Sequence, residues 1–405
     1  MFSSLKQMLK RYVDKHNLSR YAESAKKDPH AALCDALRYR DKDFFEYLVS
    51  TVGERLDVNR IDQRTERRPI EIACLIGSAT DVATLMRLGA DVTLEPYYQS
   101  NALLKLVAQN LERNKEEVWN LLLPHLDINL ADRDGKTVLC TAAMTGHGLD
   151  LEFLLKNGAD PIANMDSSYS VAHPMLFALM CNENRHPFEL LIAAARNVDP
   201  ADLINQVFVD VCRYPLHGGE YPAEKRLKDL AYLAGLGADC SYSDSRIQGS
   251  RPFEVLEASE FSSMFEDTLS FFCEQGLDIN GPHSEPGLFI QSILSGAFHP
   301  QEKFVALLKN YGADFNQIVN GLHNSEPLWF NILSSGYYYS STWGPLAKAL
   351  IEAGANINSV DSNGKYFSER LLGQADINLE KLNTLIGLGL KEVAVERYFS
   401  SRDGL

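Results

Sequence analysis

The chain has 405 residues, 45% of them apolar and 23% charged, a balance that excludes a disordered polypeptide. Its net charge of −15 is uneven: residues 1–40 carry nine Lys and Arg against four Asp and Glu, a balance of +5, so the other 365 residues sum to −20. An array that acidic repels phosphates instead of releasing their counterions, which excludes nucleic acid as a partner, and no apolar run approaches the ~20 residues that cross a bilayer.

At the start, MFSSLKQMLKRYVDKHNL puts Phe2, Leu5, Leu9 and Val13 on one side of a helix, with Lys6, Lys10 and Arg11 nearby. It has neither the long apolar core nor the small-residue cleavage site of a Sec signal peptide. Residues 1–30 are therefore expected to form a capping helix, and the chain is expected to be cytoplasmic, with export by a route without such a signal left open. Beyond it, four stretches end a helix in nearly the same words: LMRLGADV (85–92), LLKNGADP (154–161), LAGLGADC (233–240) and LLKNYGADF (307–315). Variants are FFCEQGLDIN (271–280), ALIEAGANIN (349–358) and, without the glycine, LLLPHLDIN (121–129). The Asp or Asn after the turn falls at 57, 91, 127, 160, 199, 239, 278, 314 and 356, at spacings of 34, 36, 33, 39, 40, 39, 36 and 42 residues. A phrase recurring at such an interval marks a repeat array.

The phrase has a direct physical reading. Leucines at i, i+3 and i+4 lay an apolar stripe on a helix. The Gly ends it in a left-handed conformation that a Cβ disfavours, and the Asp bonds nearby amides as the turn begins. An apolar residue and often an Asn follow, as in Asp278-Ile279-Asn280.

The clearest full unit is DGKTVLCTAAMTGHGLDLEFLLKNGAD, Asp134 to Asp160. It resembles the ankyrin repeat: Thr137-Val138-Leu139-Cys140 stands where that family has Thr-Pro-Leu-His. Ala142-Ala143 supplies the small pair, Gly146-His147 the turn between helices, and Leu154-Leu155 with Gly158-Ala159-Asp160 the close. Weaker openings begin at Pro69, Pro174, Pro252 and Pro327, each expected in a first helical turn. Cys140 replaces the family's His, and most spacings exceed its usual ~33 residues. The resemblance implies an all-α fold: an ankyrin-like helical solenoid of about ten helix pairs with finger loops over 31–390, the first pair near 31–50 and the last near 366–388. A C-terminal cap and tail would fill 391–405, and the stretch 161–236 is degenerate.

Candidate contact residues lie in the expanded loops, since the helices are committed to stacking. The insertion SSGYYYSSTWGP (334–345) offers Tyr337, Tyr338, Tyr339 and Trp343, amphipathic side chains of the kind enriched at binding hot spots. A second insertion, CRYPLHGGEYPAEKR (212–226), reads as a tolerated loop in preference to a projecting arm. Finger loops contribute Tyr97, Tyr98, Tyr169 and Tyr242, with Asp132, Arg133, Lys136, Asp166 and Asp244 at comparable places. Arg60, Arg64, Arg67 and Arg68 form a local basic patch that reads as a solvated loop beside Asp62 and Glu66. Seven scattered cysteines without a CxxC pair read as reduced, buried thiols.

No GxxxxGK[ST], GxGxxG, HExxH or GxSxG occurs, and the ten histidines lack ligand spacing, so neither cofactor nor metal is expected. The leading expectation is a non-enzymatic, monomeric protein-binding array whose acidic face engages a basic protein, in an inhibitor or immunity role. Two alternatives stand beside it: a secreted effector that binds host proteins, and an enzyme hidden in the irregular 161–260 region.

Overall fold

The computed structural model describes residues 19–93, 102–109, 115–132, 134–166, 173–214, 221–247, 249–253, 255, 265–281, 290, 294, 301–320, 325–334, 340–372 and 379–391. The chain divides into two compact units, residues 1–203 and 204–405.

In the first unit, helix α1 covers the described residues 19–27. It is followed by α2 (Pro29–Arg38), α3 (Lys42–Thr51), α4 (Pro69–Ile76), α5 (Ala79–Arg87), α6 (Ala102–Gln109), α7 (Glu116–Leu122), α8 (Val138–Thr145), α9 (Gly148–Lys156), α10 (Pro174–Cys181) and α11 (His186–Ala194). Each even-numbered helix from α2 to α10 packs on the helix that follows it, and these first helices also pack in series, α2 on α4, α4 on α6, α6 on α8 and α8 on α10. Small side chains permit the approach: Ala73, Ala108, Ala142, Ala143 and Ala178 are all buried.

Helix α12 (Pro200–Arg213) begins in the first unit and continues into the second, which also holds α13 (Ala223–Gly235), α14 (Phe265–Glu274), α15 (Gln301–Asn310), α16 (Leu328–Ser334), α17 (Ser340–Glu352), α18 (Phe367–Leu372) and α19 (Leu379–Gly387). There α15 packs on α17 and α17 on α19. The fold is mostly helical, as the all-α expectation requires. An antiparallel ribbon was not expected: β1 (Ile318–Asn320) pairs with β2 (Ser325–Pro327), with Val319 opposite Glu326. Helix pairs α10–α11 and α12–α13 occupy the stretch that looked degenerate, with Pro174 at the first position of α10 as expected. Pro327 instead closes β2 just before α16, and Pro252 lies in a turn.

The recurring phrase has the most regular local structure. Gly89, Gly158, Gly237, Gly276, Gly312, Gly354 and Gly389 have φ between 86° and 110°. A Cβ at any of these would meet no neighbouring atom within 4 Å, so conformation and not space requires the glycine. At each, the Gly amide donates to the carbonyl three residues back (2.9–3.2 Å) and the next amide reaches five residues back (2.9–3.0 Å), a Schellman close. The Asp or Asn that follows folds onto itself: all nine register residues, the weak Asp199 included, accept through Oδ1 from the amide two residues on, at 2.8–3.3 Å.

The Asn two residues after the register position binds the next turn of the series. Asn59, Asn129, Asn280, Asn316 and Asn358 each donate Nδ2 to the Gly carbonyl of the following phrase, at 2.8–3.4 Å. Each also accepts through Oδ1, at 2.7–2.9 Å, from the amide two residues beyond that Gly, which belongs to Asp91, Asp160, Asp314, Asn356 and Lys391 in turn. Asn205, within α12, supplies the accepting half of such a bridge to Asp239 N at 2.7 Å. The last bridge exposes a copy of the phrase missed in the sequence, Gly389-Leu390-Lys391, in which Lys replaces Asp.

Two substitutions separate these contributions. Asn129→Ala removes both bonds to the next turn and is expected to cost about 1–2 kcal/mol. Gly158→Ala forces a left-handed alanine and costs about 1–2 kcal/mol, although no atom obstructs the methyl. Urea denaturation checks both, and an unchanged midpoint for either would contradict the assignment.

Candidate functional site

Four fingers are built on one plan. Asp62, Asp132, Asp244 and Asp361 lie five residues after Asp57, Asp127, Asp239 and Asn356. Each donates its amide across the finger, to the carbonyl of Arg67, Lys136, Ser250 and Lys365 respectively, at 2.9–3.1 Å. Each carboxylate then accepts from amides of its own finger: Thr65 at 3.2 Å, Asp134 and Lys136 at 3.0 and 2.8 Å, Arg246 at 2.9 Å, and Asn363 and Lys365 at 2.8 and 2.9 Å.

Three fingers are also braced onto the first helix of the preceding pair. Arg64 joins Asp62 (3.4 Å) to Asp35 of α2 (3.0 Å). Asp132 meets Lys105 of α6 at 2.5 Å, and Arg246 joins Asp244 (2.6 Å) to Asp210 of α12 (3.0 Å). Burial and the Asp244 and Asp210 carboxylates act in opposite senses on the Arg246 guanidinium, and the carboxylates prevail, raising its pKa.

These placements correct several expectations. Asp244 is fully buried and Asp132 nearly so, so both support a finger instead of facing a partner. Trp343 lies inside α17, 1% exposed, with Nε1 donating to Leu333 O at 3.1 Å. Lys136 sits over the Phe177 ring at 5.3 Å; Tyr242 is half-buried and Asp166 exposed. Tyr97, Tyr98, Arg133, Tyr169, Tyr337, Tyr338 and Tyr339 lie outside the described residues. In the basic patch Arg68 is buried, donating Nε to Glu71 at 3.1 Å and Nη1 to Asp91 O at 3.1 Å, and Arg60 pairs with Asp28 at 3.4 Å. The 212–226 insertion is anchored by buried Tyr221, whose hydroxyl donates to Asp229 at 2.7 Å. Five cysteines are buried, with burial pushing the Cys34 and Cys240 thiols up to about 12; Cys181 is exposed.

An opening lies elsewhere, between second helices. α5 packs on α7 and α9 on α11, but packing between α7 and α9 is weaker than either. α7 passes directly into the 3-10 turn Leu123–His125, and His125-Leu126 stand where its counterparts have Gly-Ala. A cleft of about 830 Å³ opens between the N-terminal part of α7 and α9. At its base Lys115 Nζ contacts Asp150 at 2.5 Å and donates to Ala108 O at 3.3 Å. Trp119 and Phe153 stack with centroids 6.4 Å apart. Exposed Glu116 and Glu117 of α7 and Glu152 of α9 line it, with Lys156 and Leu149, the latter 75% exposed. Sequence reasoning missed this cleft, which no motif marks.

Among the described residues no group of three His, Cys, Asp or Glu is placed to hold a metal ion, and no helix is long and apolar enough to cross a membrane. No family model matches the chain, and no curated protein matches it.

The finger braces set an acid limit. Burial raises the Asp62 and Asp132 carboxyls, but hydrogen bonds from Thr65 and Arg64 to the first, and from Lys105 and the Lys136 amide to the second, outweigh it, so both lie below the ordinary value of 3.8. A lowered folded pKa contributes stability above the unfolded value, and that contribution is lost as pH falls through the folded one. Urea midpoints should therefore fall below about pH 4. Asp132→Asn should cost about 2–4 kcal/mol at pH 7 and flatten part of the acid loss; an unaltered pH profile would contradict the brace.

Proposed function

We propose that the chain is a protein-binding scaffold of ankyrin-like helix pairs that engages a basic protein. The stacking half of the proposal is supported by one observation above others, the Asn bridges joining consecutive turns. A bridge of that kind fixes each pair against its neighbour without a shared central core, which is how repeat arrays are held. The ankyrin likeness is supported at the helix start as well: Thr137 caps α8 through the Cys140 amide at 3.4 Å and its hydroxyl lies 3.6 Å from Cys140 Sγ, a contact made where that family has Thr and His.

The partner's charge follows from how the acids are used. Finger carboxylates are consumed by internal braces, whereas residues 41–405 keep an excess of 20 acidic charges, a field that steers a basic protein inward. Helices α10 to α13 lie within the 161–260 stretch in which a hidden catalytic site was considered, which favours the scaffold reading there. Blocking a basic toxin or nuclease would suit a scaffold of this charge.

Affinity purification from the native cells, with bound proteins identified and dissociation constants measured across salt, tests the reading. The expected partner is basic, and its affinity falls about tenfold or more between 50 and 300 mM salt. Neutral or acidic partners with salt-independent affinity would overturn it.

A further inference from the structure

We infer that the outer edge of strand β1 takes an extended segment of the basic partner, which adds to the β1–β2 ribbon as a third strand, a role that rests on the scaffold reading above. The hydrogen-bond register shows which groups await it. Leu328 donates its amide to Gln317 O at 2.9 Å, so these two form a bonded pair one step beyond the Ile318–Pro327 pairing. Bonded and non-bonded pairs alternate along an antiparallel ladder. Val319 therefore exchanges its bonds with Glu326, and the N–H and C=O of Ile318 and Asn320 point away from β2. Pro327, opposite Ile318, has no N–H to give, in keeping with this phase. None of the four outward groups meets a partner among the described residues.

The edge is open and held in place. Ser362 of the next finger donates to Ser325 O at 2.8 Å, on the far side of β2, and no described residue does the same for β1. At the base of the ribbon Trp329 N donates to Phe315 O at 3.1 Å, and Val319 is buried, so little ordering is left for binding to impose. A sheet edge is commonly guarded by a Lys, a Pro or a bulge. β1 has none of these and shows Ile318, 61% exposed, instead.

The chemistry of the edge selects the occupant. Outward N–H and C=O groups at alternate residues match an extended peptide backbone, which carries its own groups at that spacing. Charge selects the composition. Residues 313–327 contain Asp314 and Glu326 and neither Lys nor Arg. Glu326 is buried and bonded to Arg370, which leaves exposed Asp314, four residues before Ile318, as the charge an incoming segment meets. A segment that alternates apolar residues with Lys or Arg satisfies both Ile318 and Asp314. A second copy of the chain fits less well. An edge of three residues falls far short of the roughly 1,200 Å² that a stable interface buries, and each copy carries a charge of −15. A basic partner is attracted by the whole acidic array, and the edge then sets its register.

Fluorescence anisotropy of the full chain with a labelled Lys-Val-Lys-Val-Lys-Val peptide tests the edge. The same peptide N-methylated at its two central residues keeps its charge and side chains but loses a donor on each side, and Glu-Val-Glu-Val-Glu-Val reverses the charge. Ile318→Pro and Asn320→Pro each remove one outward N–H that the ladder does not use, whereas Ile318→Thr keeps both. The lysine peptide is expected to bind about tenfold or more tighter than either comparison peptide. Each Pro variant should lose about tenfold and Ile318→Thr less than about threefold. The N-methyl comparison is read on the unaltered protein, so it stands even where a variant fails to fold. Equal binding of the N-methylated or the glutamate peptide, Pro variants that bind as the wild type does, or no binding of the lysine peptide would overturn the site. A dimer in sedimentation equilibrium that Ile318→Pro dissolves would also overturn it, in favour of a second copy. A native partner that binds Asn320→Pro with undiminished, salt-dependent affinity would overturn the edge and leave the acidic scaffold standing. Salt-independent binding of the native partner by every variant would overturn the scaffold reading itself.

Discussion

The bridge from an asparagine to the next turn is the interaction on which the rest depends. Its amide donates to a carbonyl that the Schellman close leaves pointing outward, and its carbonyl takes an amide that the register Asp cannot reach. One side chain thus satisfies a donor and an acceptor on a neighbouring turn. The geometry is available only because a left-handed glycine has already placed both groups, so Gly, Asp and Asn act as one device. Where the Asn is replaced, as by Thr93, Ile162 or Ser241, apolar packing of the helices carries the connection.

Freed from holding the pairs together, the fingers are stiffened by a separate set of acids. Asp132 pairs with a helix lysine, and Asp62 and Asp244 hold finger arginines that reach a helix aspartate, which costs their hydration but fixes where each finger stands. Other acids stay exposed, on helices as at Glu116, Glu117 and Glu152, and in loops as at Asp127 and Asp166.

Much of the local structure was legible in the sequence. The Gly-Ala-Asp phrase named the helix ends, the left-handed glycine and the Asx turn, since these depend only on neighbours in the chain. What two distant residues do together was not legible. Asp132 and Asp244 looked like exposed finger acids because the helix residues they are tied to, Lys105 directly and Asp210 through Arg246, lie 27 and 34 residues earlier. Arg68 looked like part of a basic loop until its burial against Glu71 was seen, and Trp343 looked like a loop aromatic although its helix begins at Ser340. The α7–α9 cleft was hidden because it arises from a gap between helices, and no motif encodes a gap.

The most direct measurement is amide hydrogen exchange in the native protein. Asp91, Asp160, Asp314 and Asn356 lie at exposed positions, yet their amides are bonded to the Oδ1 of Asn59, Asn129, Asn280 and Asn316. The account predicts slow exchange at these four and rapid exchange at Asp278, whose preceding turn carries Ser241 in the Asn position. Rapid exchange at all five would contradict it.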